Sequence, residues 1–274
     1  MNEFPGKVAV VTGAASGIGR AIAAQAAREG MRLVLADIEA APLERTATDL
    51  RATGAEVLTV PTDVSRAEEV AALAERTVAV YGAVHLLFNN AGVATGGPIW
   101  ERPLAEWEWV MGVNLWGVVH GIRSFVPLML AQDDAGYIVN TASIAGLVTA
   151  PALGIYTVTK HAVVALSEVL AAELAQRNAR ITVSVLCPSW VQTRILEAGR
   201  NRPAAIQDTA PGDDPVGSAA IRQLVDAGMP PEQVAREVFA AIRDERFYIL
   251  THPETKAWIR KRIETILNTP NASA

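Results

Sequence analysis

The stretch V-A-V-V-T-G-A-A-S-G-I-G, Val8 to Gly19, decides how the rest of the chain is read. Val8 to Val11 is a short apolar run of mostly β-branched residues. Glycines follow at 13, 17 and 19, and then an alanine-rich segment from Arg20 to Glu29 that closes at Gly30. A buried strand, a tight turn and a helix with glycine just past its end account for that order. Glycine lets a backbone approach a pyrophosphate, while the free N–H groups and dipole of the following helix attract its charge. Gly13, Ser16, Gly17, Ile18 and Gly19 are therefore candidate phosphate-binding residues. The next apolar run, L-V-L-A-D, ends at Asp37, eighteen residues beyond Gly19 and close to the roughly 20 expected of an acid that binds a ribose.

Outward from this unit the alternation persists. Helices are predicted over Pro42 to Thr53 with Gly54 after it, Arg66 to Tyr81, Leu104 to Leu130 and Ile155 to Gln176; strands over Glu56 to Pro61, His85 to Phe88, Gly136 to Thr141 and Arg180 to Leu186. Ser65 and Glu68 have the spacing of a capping box that would open the second of these helices. Continuous hydrophobic strands between helices require a parallel sheet covered on both faces. The expectation is one doubly wound α/β domain of the Rossmann type over residues 1–274, with a seven-stranded sheet. The segment from Thr193 to Pro231 breaks the rhythm with prolines, glycines and the pair Asp213 and Asp214. It reads as a substrate lid, the alternative being a surface insertion. A helix from Pro231 to Arg243, a short strand Phe247 to Leu250 and a helix to about Asn268 complete the pattern. The basic run Arg260, Lys261, Arg262 reads as a solvated helix face.

Composition narrows the functional classes. Half the residues are hydrophobic and 19% are charged, which fits a folded globular protein. A net charge of −5 argues against nucleic acid as a partner. Cys187 is the single cysteine, so neither a disulfide framework nor a cysteine-based zinc cluster forms within the chain; a reducing, cytoplasmic setting suits it. His85, His120, His161 and His252 lack metal-ligand spacing, and no metal site is expected. No charged segment followed by an apolar one opens the chain, so no secretory signal is read. Ala135 to Thr159 lacks charge but carries Asn140, Ser143 and Pro151, and reads as a strand leading into a site loop rather than a membrane span.

Ser143, Tyr156 and Lys160 form a second constellation. Tyr156 and Lys160, four apart, share a helix face, so an ammonium can lie near the phenol. A free tyrosine titrates near 10, and a cation within a few Å lowers an acid's pKa by roughly 1 to 3 units, which would make Tyr156 a usable acid or base.

With Asp63-Val64 after the third strand, N-N-A-G at Asn89 to Gly92, and Asn114 in a helix, these pieces resemble the short-chain dehydrogenase/reductase family over nearly the whole chain. The resemblance implies that Tyr156 passes a proton to or from the substrate oxygen and Ser143 polarises that oxygen. It implies that Lys160 binds the nicotinamide ribose and lowers the tyrosine's pKa, and that Asn114 holds a water linking Lys160 to solvent. Asp63 would contact adenine, with Asn90 and Gly92 on the adenosine side. Ile38, Val64, Ala91, Pro188, Val191 and Thr193 complete the cofactor contacts that the resemblance implies. Where relatives carry Pro-Gly after the sixth strand, this chain has Pro188-Ser189, which adds a Cβ beside the carboxamide site. Trp190 is either a substrate-pocket wall or packing under the lid. Trp100, Trp107, Trp109 and Trp116 read as core and interface, and His161 as helix surface or interface.

The expected activity is NAD-dependent interconversion of a secondary alcohol and a ketone, on a bulky hydrophobic or aromatic small molecule. T-R-I-L-E-A-G-R-N-R-P-A from Thr193 and F-Y-I-L-T-H-P-E from Phe247 resemble a subgroup that includes dehydrogenases of aryl benzylic alcohols. Asp37 would repel the 2′-phosphate of NADP, and Ser16 and Ile38 stand where NADP-using relatives often place a base. An NADP-dependent carbonyl reductase and a non-catalytic cofactor-binding regulator are the rivals; the intact Ser143, Tyr156, Lys160 and Asn114 disfavour the second. The helix Ile155 to Gln176 is apolar around more of its circumference than one sheet-facing stripe needs, which predicts a homo-oligomer; the resemblance suggests a tetramer.

Overall fold

The computed structural model describes residues 1, 3–132, 134–204 and 219–268. Its centre is a parallel sheet of seven strands: β1 (Val8–Thr12), β2 (Arg32–Asp37), β3 (Val57–Pro61), β4 (Leu86–Asn89), β5 (Gly136–Thr141), β6 (Ile181–Leu186) and β7 (Tyr248–Ile249). They lie in the order β3-β2-β1-β4-β5-β6-β7. Between them run α1 (Gly17–Arg28), α2 (Ala40–Arg51), α3 (Ala67–Tyr81), α4 (Leu104–Met111), α5 (Gly117–Ala131) and α6 (Gly154–Gln176). After β6 come α7 (Ala219–Asp226), α8 (Pro231–Arg243) and α9 (Thr255–Leu267).

Successive strand residues point to opposite faces. Ala9, Val11, Leu33, Leu35 and Phe88 therefore pack with Ile22 of α1 and Phe239 of α8 on one side. Val8, Val10, Val34 and Leu87 pack with Leu73, Phe125 and Leu170 of α3, α5 and α6 on the other. The chain reverses direction across the sheet between β1 and β4. The pairing brings Thr12 opposite Ala36 and Asn89 opposite Asn140, so Thr12, Asp37, Asn89, Thr141 and Leu186 share one carboxyl edge. Ligands of open α/β sheets bind at that edge, beside the reversal.

Several boundaries differ from the sequence reading. The first helix begins at Gly17 instead of Arg20, because the last part of the glycine turn already has helical geometry. The capping box does not form: the Ser65 hydroxyl donates to Asp63 Oδ1 at 2.7 Å, and Arg66 holds the N-cap without a side-chain bond. The helix expected from Leu104 to Leu130 contains a π-turn at Gly112–Trp116, with the Gly117 N–H donating to the Gly112 carbonyl. Ala135 to Thr159 is divided among β5, a turn and the start of α6. The stretches Leu104–Ala131 and Gly154–Gln176 are long and apolar enough to cross a membrane, yet α5 and α6 lie against the sheet. Of the expected lid, Ile195–Asn201 forms a 3₁₀ segment and α7 a short helix, while 205–218 lie outside the described residues.

Candidate active site

The carboxyl edge opens into a cleft of about 1010 Å³ that reaches from Asp37, past Ser143 and Tyr156, to α9. Its floor is the glycine turn. A Cβ on Gly19 would stand 2.2 Å from the Gly13 carbonyl oxygen, and one on Gly13 would stand 2.8 Å from Ala91 Cα. These two glycines thus serve the turn's own packing against the loop after β4. Gly17 has φ +53° and faces Thr193. Thr12 locks the same loop: its Oγ1 accepts from the Asn90 and Ala91 N–H groups at 2.9 and 3.1 Å. No acid occupies the first turn of α1, which leaves the positive end of its dipole for an anion.

Asp37 accepts from the Ala15 N–H at 3.0 Å and the Glu39 N–H at 2.9 Å. Burial pushes its carboxyl above the ordinary range, and the two backbone donors oppose that rise. Arg200 is the cation nearest in effect; it forks onto Glu39 at 2.9 and 3.0 Å. Arg20 pairs with Asp49 instead. Ser16, Ile18, Ile38, Asp63, Val64, Asn90, Gly92, Pro188, Val191 and Thr193 all line the same cleft.

Asn114 sits in the π-turn, fully buried. Its amide oxygen accepts from the Val93 N–H at 2.8 Å, and its nitrogen donates to the Val93 carbonyl and to Thr159 Oγ1. The extra residue of the π-turn aims this amide at the loop after β4, a common use of such turns. Both N–H groups are thereby committed, so a water at Asn114 would be held through an oxygen acceptor.

Ser143 caps the turn after β5, its Oγ accepting from the Ala145 N–H at 3.1 Å and donating to the Pro188 carbonyl at 3.4 Å, and Tyr156 lines the same cleft. Lys160 Nζ lies 5.5 Å from the Tyr156 ring centroid and donates to the Thr141 carbonyl at 2.9 Å. The expected lowering of the tyrosine's pKa by Lys160 is not what this arrangement produces. Burial raises the phenol, the neighbouring Ser143 opposes that rise, and the lysine is itself pushed down to about 8 by burial. Cys187 lies beneath this group, buried and pushed up to about 12, an inert thiol.

Some residues bear on the site without any local sequence signal. His252 accepts from the Ser189 N–H at 3.2 Å through Nδ1, and its Nε2 meets the Trp190 carbonyl at 3.1 Å, so it braces the turn after β6. A histidine facing a carbonyl with one ring nitrogen and an N–H with the other holds the neutral Nε2–H tautomer. Arg202 enters a buried cluster, reaching Glu106 of α4 at 2.7 Å while Arg102 approaches the same carboxylate at 3.5 Å. Lys261, exposed as expected, and Arg262, half-buried, also line the cleft. Trp190 lines it too. Trp109 is buried, whereas Trp100 is 81% exposed and no part of the core. His161 keeps its Nδ1 on the Thr157 carbonyl.

Comparison with known proteins agrees with this geometry. Residues 7–203 match the family model described as short chain dehydrogenase. A CLA biosynthesis dehydrogenase/reductase of Lactiplantibacillus plantarum is 38% identical over 97% of this chain and 95% of its own. A C alpha-dehydrogenase of a Sphingobium species is 32% identical over 98% and 88%. A crystal structure of a short-chain dehydrogenase/reductase from Burkholderia phymatum in complex with NAD superposes with a TM-score of 0.95, at 47% identity and full coverage of both chains. With a glycine turn, a Ser-Tyr-Lys group and this sheet order in one chain, the protein belongs to the short-chain dehydrogenase/reductase family of oxidoreductases.

Proposed function

We propose that the protein uses NAD to interconvert a bulky hydrophobic secondary alcohol and its ketone. The observation that carries this reading is the grouping of Ser143, Tyr156 and Lys160, with the lysine Nζ 5.5 Å from the tyrosine ring centroid, in the same cleft as the glycine turn and Asp37. The residues fit the dinucleotide: an open helix N-terminus for its pyrophosphate, a carboxylate at the end of β2 for its ribose, and a continuous cleft between. When bound, NAD supplies the carbon that accepts or returns a hydride.

In this reading the chain's own groups orient and move the proton. Tyr156 takes the hydroxyl proton during oxidation and returns it during reduction. Ser143 turns its O–H toward the substrate oxygen and steadies the charge that develops there. Lys160 holds the cofactor ribose. Asp63, Asn90, Ala91 and Gly92 border the adenosine, and Pro188, Val191 and Thr193 the nicotinamide. The described parts of the expected lid, 193–204 and 219–231, border the cleft through residues such as Leu196, Pro203 and Ile221. Walls from Val148, Leu153, Trp190, Leu196, Ile221 and Val225 favour an apolar substrate body.

Turnover of NAD on a panel of secondary alcohols tests the reading, with Tyr156→Phe as the control. That change removes one hydroxyl and leaves the ring. Turnover should fall by roughly 100-fold or more while NADH affinity holds. Residual activity within a factor of a few of the parent would remove Tyr156 from its role.

A further inference from the structure

Helix α9 contributes Trp258, Lys261, Arg262, Thr265 and Ile266 to the cleft that holds Ser143 and Tyr156. Their spacing of i, i+3, i+4, i+7 and i+8 is a single helical face. The wall therefore has apolar ends and two cations between them. Arg262 Nη1 also donates to the Leu147 carbonyl at 3.3 Å, at the end of the turn that Ser143 caps. A guanidinium has five N–H groups. The others on Arg262 meet no protein acceptor among the described residues, and neither Lys261 nor Arg262 forms an ion pair there.

The charge around them is one-sided. The acids that line the cleft among the described residues are Asp37, Glu39 and Asp63, at the ends of β2 and β3, and Glu39 is already held by Arg200. The cleft also has apolar lining from Val148, Leu153, Leu196, Ile221 and Val225. Two cations without ion-pair partners at the wall of a cleft attract an anion, and the half-buried Arg262 is screened by less water than the exposed Lys261. An apolar ligand end would desolvate them with nothing in return, and a neutral acceptor would return less than a carboxylate.

We infer that this face of α9 binds the anionic head of the substrate. The substrate is then an amphipathic secondary alcohol, with an apolar body in the cleft and a carboxylate remote from the reacting carbon. The guanidinium fork matches a carboxylate bidentately, and the Lys261 ammonium adds a point charge beside it. This assignment rests on the alcohol-oxidising reading above for the reaction, and on α9 alone for the head group.

Two measurements separate those two supports. Calorimetric titration of the full chain, with and without NADH, compares decanoate with methyl decanoate. Turnover compares alkanoates carrying a secondary hydroxyl at increasing distance from the carboxylate with their methyl esters. Decanoate should bind at least about tenfold more tightly than the ester. That gap should close in Arg262→Gln and Lys261→Gln, persist in part in Arg262→Lys, and narrow in about 0.5 M salt. Equal binding of acid and ester would overturn the anionic head. So would a loss of NADH affinity in Arg262→Gln that parallels the loss of decanoate, since the cation would then serve the cofactor's phosphates. Oxidation of neutral alcohols with no preference for the acids removes the head group and leaves the dehydrogenase. Tight decanoate binding with no alcohol oxidised does the reverse.

Discussion

Lys160 carries its ammonium to a place where a hydrogen bond to the Thr141 carbonyl, 2.9 Å away, stands in for a hydration shell. Burial holds its pKa at about 8, against 10.5 for the free side chain. Between these values the unfolded chain binds more protons at this position than the folded one, so stability from this group rises with pH across the window. Below about pH 8 the desolvation penalty is present in full. Lys160→Met keeps an unbranched stem and removes the charge. Its thermal midpoint at pH 7 should equal or exceed the parent's, the advantage should shrink as pH rises from about 8 to 10, and turnover should fall by roughly 100-fold or more. Thermal scans over that range decide it. A midpoint several degrees below the parent at pH 7 would mean that the Thr141 bond outweighs desolvation. The same burial leaves Tyr156 a phenol in the ligand-free protein, so oxidation, which needs the phenolate, should quicken toward alkaline pH.

Between elements, the first part of the segment after β6 is fastened at two points. Arg200 grips Glu39 beyond β2, and Arg202 enters the buried Glu106 cluster on α4. The first clamp bears on coenzyme choice. Asp37 repels a 2′-phosphate, and the nearby Arg200 could answer that phosphate only by leaving Glu39. Catalytic efficiency with NAD should therefore exceed that with NADP by at least tenfold, about 1.4 kcal/mol. Glu39→Gln should narrow the ratio by releasing Arg200, and Arg200→Gln in the same background should restore it. A ratio unchanged by Glu39→Gln would place Arg200 out of reach of the phosphate. These clamps also mark the limit of what could be read from the chain. Strands such as Leu33 to Asp37 and the Tyr156–Lys160 spacing were legible, because buried strands and helix faces repeat at short fixed periods. Arg200 and Glu39 are 161 positions apart and obey no period. The π-turn around Asn114 leaves the apolar pattern of its helix unchanged, and His252 meets the Ser189 turn only through the fold. That the exposed face with Lys261 and Arg262 also borders the cleft was not legible, because a polar helix face looks alike whether it borders bulk water or a cleft.

For the whole molecule, the long helix α6 leaves a second face uncovered. Val158 and Val169 are 46% and 54% exposed, and with Ala162 and Ala165 they form a stripe at i, i+4, i+7 and i+11 without charge. Trp116, at the end of the π-turn, is 51% exposed. Small side chains let two helices approach within 8 to 10 Å, so a second copy of α6 is a suitable cover, with Trp116 closing over its edge. Self-complementary faces of this kind generate two-fold dimers, and a second such face converts dimers into tetramers. The expected state is therefore a homotetramer that uses α6 and the Asn114 helix. Ala165→Arg places a long cation in the centre of the stripe, where a neighbouring copy would have to bury it unpaired, at a cost of several kcal/mol per subunit pair. The variant should sediment as a smaller species at micromolar concentration, with its helical circular dichroism intact. Because the substituted position faces away from the sheet edge that forms the cleft, NADH binding should survive in that smaller species. A parent that sediments as a monomer would remove the oligomer, and a variant that keeps the parent's size would move the contact to another face.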